Sequence, residues 1–188
     1  QNIGQRIGNN ADEKKKARLT KNAHFGNWDT LFVEKKKKKM GIVGFGNIGQ
    51  ATACIAQAFG MEVCVYSSKP QFALPSGIKK MEMDELFGEC DVVSLHCPLT
   101  PDTKEMVNAE RLSKMKPNAI LINTGRGPLI NEQDLADALN EGKIAAAGLD
   151  VLSVEPSVEG NPLLDARNCF ITPHIAWATL EARTRLME

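Results

Sequence analysis

Apolar runs of strand length recur from Met40 onward, each followed by a stretch with helical periodicity, and no other feature constrains the fold as tightly. Met40–Phe45 (MGIVGF), Met61–Tyr66 (MEVCVY), Asp91–His96 (DVVSLH) and Ala119–Asn123 (AILIN) read as strands, as do Ile144–Asp150 and Cys169–Thr172. Asn47–Phe59, Met83–Phe87, Ala109–Met115 and Glu132–Glu141 read as helices between them, and Leu180–Met187 starts a last one. A Pro- and Gly-bearing loop separates Tyr66 from Met83. Segments such as VVSL and AILI are apolar at consecutive positions, as expected where helices cover both faces of a sheet. Strand–helix alternation of this kind specifies an α/β fold with a doubly wound parallel sheet in three α/β/α layers.

The first strand–helix junction carries the sequence Gly44-Phe45-Gly46-Asn47-Ile48-Gly49. In a G-x-G-x-x-G so placed, the three glycines permit a tight turn, close backbone approach to a pyrophosphate, and close helix–strand packing. Free amides at the start of the helix, at its positive dipole end, then hold the phosphates. The site therefore reads as a Rossmann-like cradle for NAD or NADP. An acidic residue is expected at the end of the second strand, where it would hold the adenosine ribose. Ser67, Ser68 and Lys69 stand there instead. They neither bind ribose hydroxyls as a carboxylate does nor repel a 2′-phosphate, which tilts the reading slightly towards NADPH.

Three further segments end consecutive strands. Asn123-Thr124-Gly125-Arg126-Gly127 follows AILIN, Gly148-Leu149-Asp150-Val151 closes the next strand with Glu155-Pro156 beyond it, and Thr172-Pro173-His174-Ile175-Ala176-Trp177 closes the last. Open α/β sheets place ligands at these carboxyl ends. An Arg is a natural bidentate clamp for a carboxylate. A His can donate a proton to a developing alkoxide, and a carboxylate beside it fixes its orientation. Taken singly, each is an ordinary loop residue. Taken together on this fold, Arg126, Glu155 and His174 suit hydride transfer between a nicotinamide cofactor and a small 2-oxo or 2-hydroxy acid.

The remaining features exclude more than they assign. The chain of 188 residues is 43% hydrophobic and 24% charged, which fits one globular domain and neither a disordered nor a fibrous class. No apolar run reaches membrane-spanning length, and no signal-peptide core is visible near the start, so a cytoplasmic location is expected. Five scattered cysteines, with no CxxC pair and no His at zinc-ligand spacing, argue against a structural metal. Residues 1–40 hold 11 basic and 4 acidic residues, against 12 and 19 in 41–188. The lysines lack interleaved aromatics or arginines, so a solvated arm or helix face is the better reading than a nucleic-acid site.

The blocks INTGRGPLINEQDLADAL, AAAGLDVLSVEP and NPLL…ITPHIAWAT, with SLHCPLTPDT, resemble the signature segments of the D-isomer-specific 2-hydroxyacid dehydrogenases. The resemblance covers roughly Met40 to Met187, and weakly the stretch before it. It implies that Arg126 binds the substrate carboxylate and polarises its carbonyl, that His174 is the general acid, and that Glu155 is its partner. It also implies that Gly44, Gly46, Asn47, Ile48 and Gly49 hold the pyrophosphate, that Ser67, Ser68 and Lys69 meet the adenosine ribose, and that Asp150 contacts the nicotinamide carboxamide. Cys97, Pro98 and Thr103 would line the cofactor cleft, with His96, Thr124, Gly125 and Ala176 also placed at the cofactor. His96 is the ambiguous member, since a residue ending a strand can act through its backbone alone. PHIAWAT followed by Glu181-Ala182-Arg183 looks most like the glycerate dehydrogenase (hydroxypyruvate reductase) branch.

The resemblance further implies a two-lobed molecule whose substrate lobe is largely absent from this chain. Residues 1–39 are then a Lys-rich interdomain helix and arm, 40–176 the NAD(P)-binding domain, and 177–188 the start of the helix returning to the other lobe. Asp12–Leu19 is expected to be helical, His24 a surface residue, and a homodimer is possible. The competing class is a non-catalytic module that binds or senses NAD(P). Such a module would need none of Arg126, Glu155 and His174.

Overall fold

The computed structural model describes residues 37–157 and 159–187. The readings placed on residues 1–36, including the arm, the Asp12–Leu19 helix and His24, lie outside these residues. Seven strands form one sheet: β1 (Lys39–Val43), β2 (Glu62–Tyr66), β3 (Ile78–Lys80), β4 (Val92–Leu95), β5 (Ile120–Asn123), β6 (Ala146–Leu149) and β7 (Cys169–Ile171). Their order is β3-β2-β1-β4-β5-β6-β7, and every pairing is parallel. The helices are α1 (Asn47–Ala58), α2 (Met83–Glu89), α3 (Ala109–Lys114), α4 (Glu132–Asn140) and α5 (Leu180–Met187). The chain runs outward from β1 to β3, then crosses back to lay β4 on the other side of β1. This puts a topological switch between β1 and β4, and a crevice beyond their carboxyl ends.

Consecutive strand residues feed opposite faces, because side chains alternate across the pleat. Ile42 packs with Val63, Val65, Ala53 and Ala56 on the α1 face, while Val43 packs with Cys64, Leu86, Val93 and Leu121 on the other. The continuous apolar runs thus fill two cores. The second face is covered by α2, α3 and α4, whose Phe87, Leu112 and Leu135 are fully buried. Over β5–β7 the α1 face is more open, with Phe170 68% and Ile120 38% exposed.

The observed elements follow the expected ones closely, save that β3 falls within the segment read as a loop. It is a three-residue edge strand, and only Ile78 is buried in it. Pro75 and Gly77 precede it, masking so short an element. Among the described residues, no helix is long and apolar enough to cross a membrane.

Candidate active site at the carboxyl ends of the strands

At two of its three glycines the Gly44–Gly49 turn leaves no room for a side chain. Gly44 has φ +96, and a Cβ there would stand 2.6 Å from the Cys97 amide nitrogen. A Cβ on Gly49 would stand 2.2 Å from the Gly44 carbonyl oxygen. Both positions are therefore fixed by the protein's own packing. Gly46 differs, since its Cβ would meet nothing within 4 Å. It is the N-cap of α1 and lines the cleft, so the missing side chain keeps open the space in front of the helix amides. That arrangement fits an approaching pyrophosphate.

The cleft measures about 380 Å³, and Gly44, Gly46, Ser67, Ser68, Lys69, His96, Cys97, Pro98 and Thr103 line it. Phe45, Tyr66, Met83 and Met106 line it too; these were not anticipated, since an apolar residue gives no chemical signal of its own. Asn47, Ile48 and Gly49 form the first turn of α1 and are not among the cleft-lining residues. The two sides of the crevice are tied together by main-chain bonds. The His96 amide donates to the Val43 carbonyl at 2.7 Å, and the Gly44 amide to that of Tyr66 at 2.9 Å.

His96 contributes more than its backbone. Its Nε2 lies 2.9 Å from Ser94 Oγ, and burial lowers the imidazole pKa. Burial likewise raises the Cys97 thiol, keeping it neutral. Thr103 Oγ1 accepts from the Thr100 amide at 2.7 Å and donates to the Pro98 carbonyl at 2.8 Å, so it pins the loop that walls the cleft.

Glu155 and His174 come together as expected from their types: Glu155 Oε2 lies 2.7 Å from His174 Nδ1. The other oxygen of Glu155 accepts from the Leu152 amide at 2.9 Å. That amide, and then the imidazole, hold the carboxyl below its ordinary pKa. His174 has φ +53, in the left-handed region that residues with a Cβ rarely occupy. Its amide donates to the Asp150 carbonyl at 2.8 Å, which holds that backbone in place.

Asp150 is buried, and its carboxylate accepts from Thr172 Oγ1 at 2.5 Å, the Ile175 amide at 2.9 Å and the Ala176 amide at 2.8 Å. Desolvation works against its ionisation, but these three donors prevail and its pKa is lowered. About one of the four lone-pair sites of a carboxylate is left for another donor. Through Asp150, the end of β6 sets the course of the segment carrying His174.

Arg126 is exposed and hydrogen-bonds neither Glu155 nor His174; its Nη1 donates to the Gly125 carbonyl at 2.9 Å. The residue that shapes its loop is Asn123, fully buried at the end of β5. Asn123 Nδ2 donates to the Arg126 carbonyl at 2.9 Å and Oδ1 accepts from the Gly125 amide at 3.0 Å. Thr124 is exposed and Gly125 half-buried on the same turn. Gly127 then packs against the Glu155 loop, where a Cβ would stand 2.0 Å from the Leu152 carbonyl carbon. Asn123 and Gly127 were not singled out from the sequence. An amide residue closing an apolar strand just before a Gly-rich turn was the available signal.

Comparisons with known proteins point to one family. Residues 11–176 match the family model described as D-isomer specific 2-hydroxyacid dehydrogenase, NAD binding domain. The chain is 55% identical over 162 residues to a hydroxypyruvate reductase of Blautia hydrogenotrophica, covering 86% of this chain and 50% of that protein. It is 41% identical over 174 residues to a glycerate dehydrogenase of Methylorubrum extorquens, covering 92% and 54%. Among solved structures, an acyclic imino acid reductase in complex with NADPH and D-Arg superposes with a TM-score of 0.82 at 38% identity, covering 94% of this chain and 55% of that one. The chain thus spans about half the length of the curated relatives it matches.

Proposed function

The chain belongs to the D-isomer specific 2-hydroxyacid dehydrogenase family, and we propose that it is the cofactor-binding part of an oxidoreductase acting on a small 2-oxo or 2-hydroxy acid. Hydroxypyruvate and D-glycerate are the favoured pair, because the relatives named above as hydroxypyruvate reductase and glycerate dehydrogenase are 55% and 41% identical to it. The observation that carries the reading is the Glu155–His174 pair, at 2.7 Å, standing at the same sheet edge as the Gly46 cradle. A sensor module needs no such pair.

A bound nicotinamide cofactor supplies the hydride. Gly44, Gly46 and Gly49, with Asn47 and Ile48 of the first helical turn, form the pyrophosphate cradle. Cys97, Pro98 and Thr103 wall the cleft beside it. Asp150 keeps one acceptor site for a carboxamide N–H, with Thr124, Gly125 and Ala176 on the flanking turns. Arg126 would clamp the substrate carboxylate through its guanidinium fork. His174, oriented by Glu155 through Nδ1, would hold the proton at Nε2 and give it to the carbonyl oxygen as charge develops there.

Residues 40–176 form the cofactor domain in this reading, and 177–188 begin a return to a substrate lobe. Free thiols, as at the exposed Cys54, suit a reducing cytoplasmic compartment. A homodimer is the assembly that the family resemblance implies. The test is reduction of hydroxypyruvate by a protein in which this domain is joined to a substrate lobe. His174→Gln should lower kcat by about 10²- to 10⁴-fold, the usual contribution of a general acid, while cofactor binding persists. Turnover at the parent rate in that variant would overturn the assignment.

A further inference from the structure

We propose that the Ser67–Lys69 loop selects a 2′-phosphorylated dinucleotide, NADP(H) over NAD(H), and that Lys69 sets the preference. The inference rests on the cleft being a dinucleotide site and goes beyond that reading by naming which of the two cofactors it takes. β2 ends at Tyr66, whose carbonyl accepts the Gly44 amide at 2.9 Å. This bond sets the following loop beside the phosphate turn, where the adenosine ribose lies in folds of this topology. A carboxylate in that place would bond the ribose hydroxyls and repel a phosphate. Among the described residues no carboxylate lines the cleft, and Lys69 is its one lysine or arginine.

The loop is also shaped for an anion. Ser67 Oγ accepts the Lys69 amide at 3.1 Å, folding the loop into a short turn and leaving the hydroxyl hydrogen free to donate outward. Ser68 and Lys69 are exposed at its tip. The Lys69 ammonium lies 5.6 Å from the centroid of the Phe45 ring. That is within cation–π range, and Phe45 is only 4% exposed, so the ring is a fixed platform. It holds the ammonium over the phosphate turn. Among the described residues no carboxylate pairs with Lys69.

The two cofactors differ at one group. A phosphate monoester carries about −1.5 to −2 charges near neutral pH, where the 2′-hydroxyl carries none. An ammonium is a point charge on a flexible stem and meets such a group without demanding one geometry. Being exposed, the pair should weaken as salt rises.

The experiment is calorimetric titration of the 188-residue chain with NADPH, NADH, 2′,5′-ADP and 5′-AMP at low ionic strength. The last two differ only in the 2′-phosphate. NADPH should bind about 10- to 100-fold more tightly than NADH, the range of one charge-assisted hydrogen bond, and 2′,5′-ADP should exceed 5′-AMP likewise. Lys69→Ala should bring both ratios close to one, and Ser67→Asp should invert them. Lys143→Ala, before β6 at the opposite end of the sheet, should leave them unchanged. NADH binding as tightly as NADPH would sink this inference and leave the dinucleotide site standing. So would a ratio that survives Lys69→Ala. Binding of none of the four ligands would overturn the dinucleotide site itself, and this selectivity with it.

Discussion

Asp150 is 4% exposed yet ionised, and its charge organises the chain that follows it. Its three donors lie 22 to 26 residues further on, so its type and strand-end position were readable while its pinning of 172–176 was not. Glu155 and His174, 19 residues apart, could be paired beforehand because their chemistry calls for each other. Asn123 offers only its place at the end of an apolar strand before a Gly-rich turn, and its hydrogen bonds to Gly125 and Arg126 reveal its part in shaping that loop. Asp150→Asn would put an amide N–H against the Ile175 or Ala176 N–H, leaving a buried donor unsatisfied. That should cost about 1–3 kcal/mol at neutral pH. The folded pKa lies below the unfolded value, about 3.9. The carboxylate's contribution is therefore complete above that value and is lost as pH falls through the folded pKa. Denaturant midpoints should show parent and variant well apart at neutral pH and converging only as pH falls below the unfolded carboxylate value of about 3.9. Equal stabilities at neutral pH would mean that Asp150 does not hold this segment.

The strand–turn–helix unit β1–α1 separates two functions that one motif usually hides. Gly49 is required by packing, since its Cβ would overlap the Gly44 carbonyl, whereas Gly46 faces open space. Gly49→Ala should destabilise the domain by about 1–3 kcal/mol through overpacking. Gly46→Ala, at an N-cap with φ −80 that alanine accepts, should cost no more than about 1 kcal/mol. It should still abolish cofactor binding, because its methyl would occupy the phosphate space. Melting curves beside calorimetric titrations separate the two; a Gly46→Ala chain that binds normally would show that the pyrophosphate lies elsewhere. The motif's place was legible because a continuous apolar strand run and a period-3.6 helical pattern meet at it. β3 was hidden because three residues are too few to show a period, and edge strands are often that short.

At the scale of the whole molecule, the switch between β1 and β4 gathers Gly44, Gly46, Ser67–Lys69 and His96–Pro98 around one cleft, while Arg126, Glu155 and His174, the proposed reacting groups, stand further along the same edge, open to water. The side chains of Glu155 and His174 are 37% and 43% exposed, and Arg126 is exposed as well. The parallel, doubly wound character of the sheet followed from alternation alone, but the covering of these side chains is a property of segments that local pattern does not encode. Solvent weakens each charge and competes for each hydrogen bond, and closure over a substrate is what removes it. The 188-residue chain should accordingly bind cofactor saturably yet oxidise it with hydroxypyruvate at least about 100-fold more slowly than the full-length hydroxypyruvate reductase of Blautia hydrogenotrophica, the order of loss when one stabilising donor is missing. Stopped-flow absorbance of the reduced cofactor, with both proteins at saturating cofactor, measures this directly. A comparable rate would mean that Arg126, Glu155 and His174 suffice without cover, and that water exclusion contributes little to this chemistry.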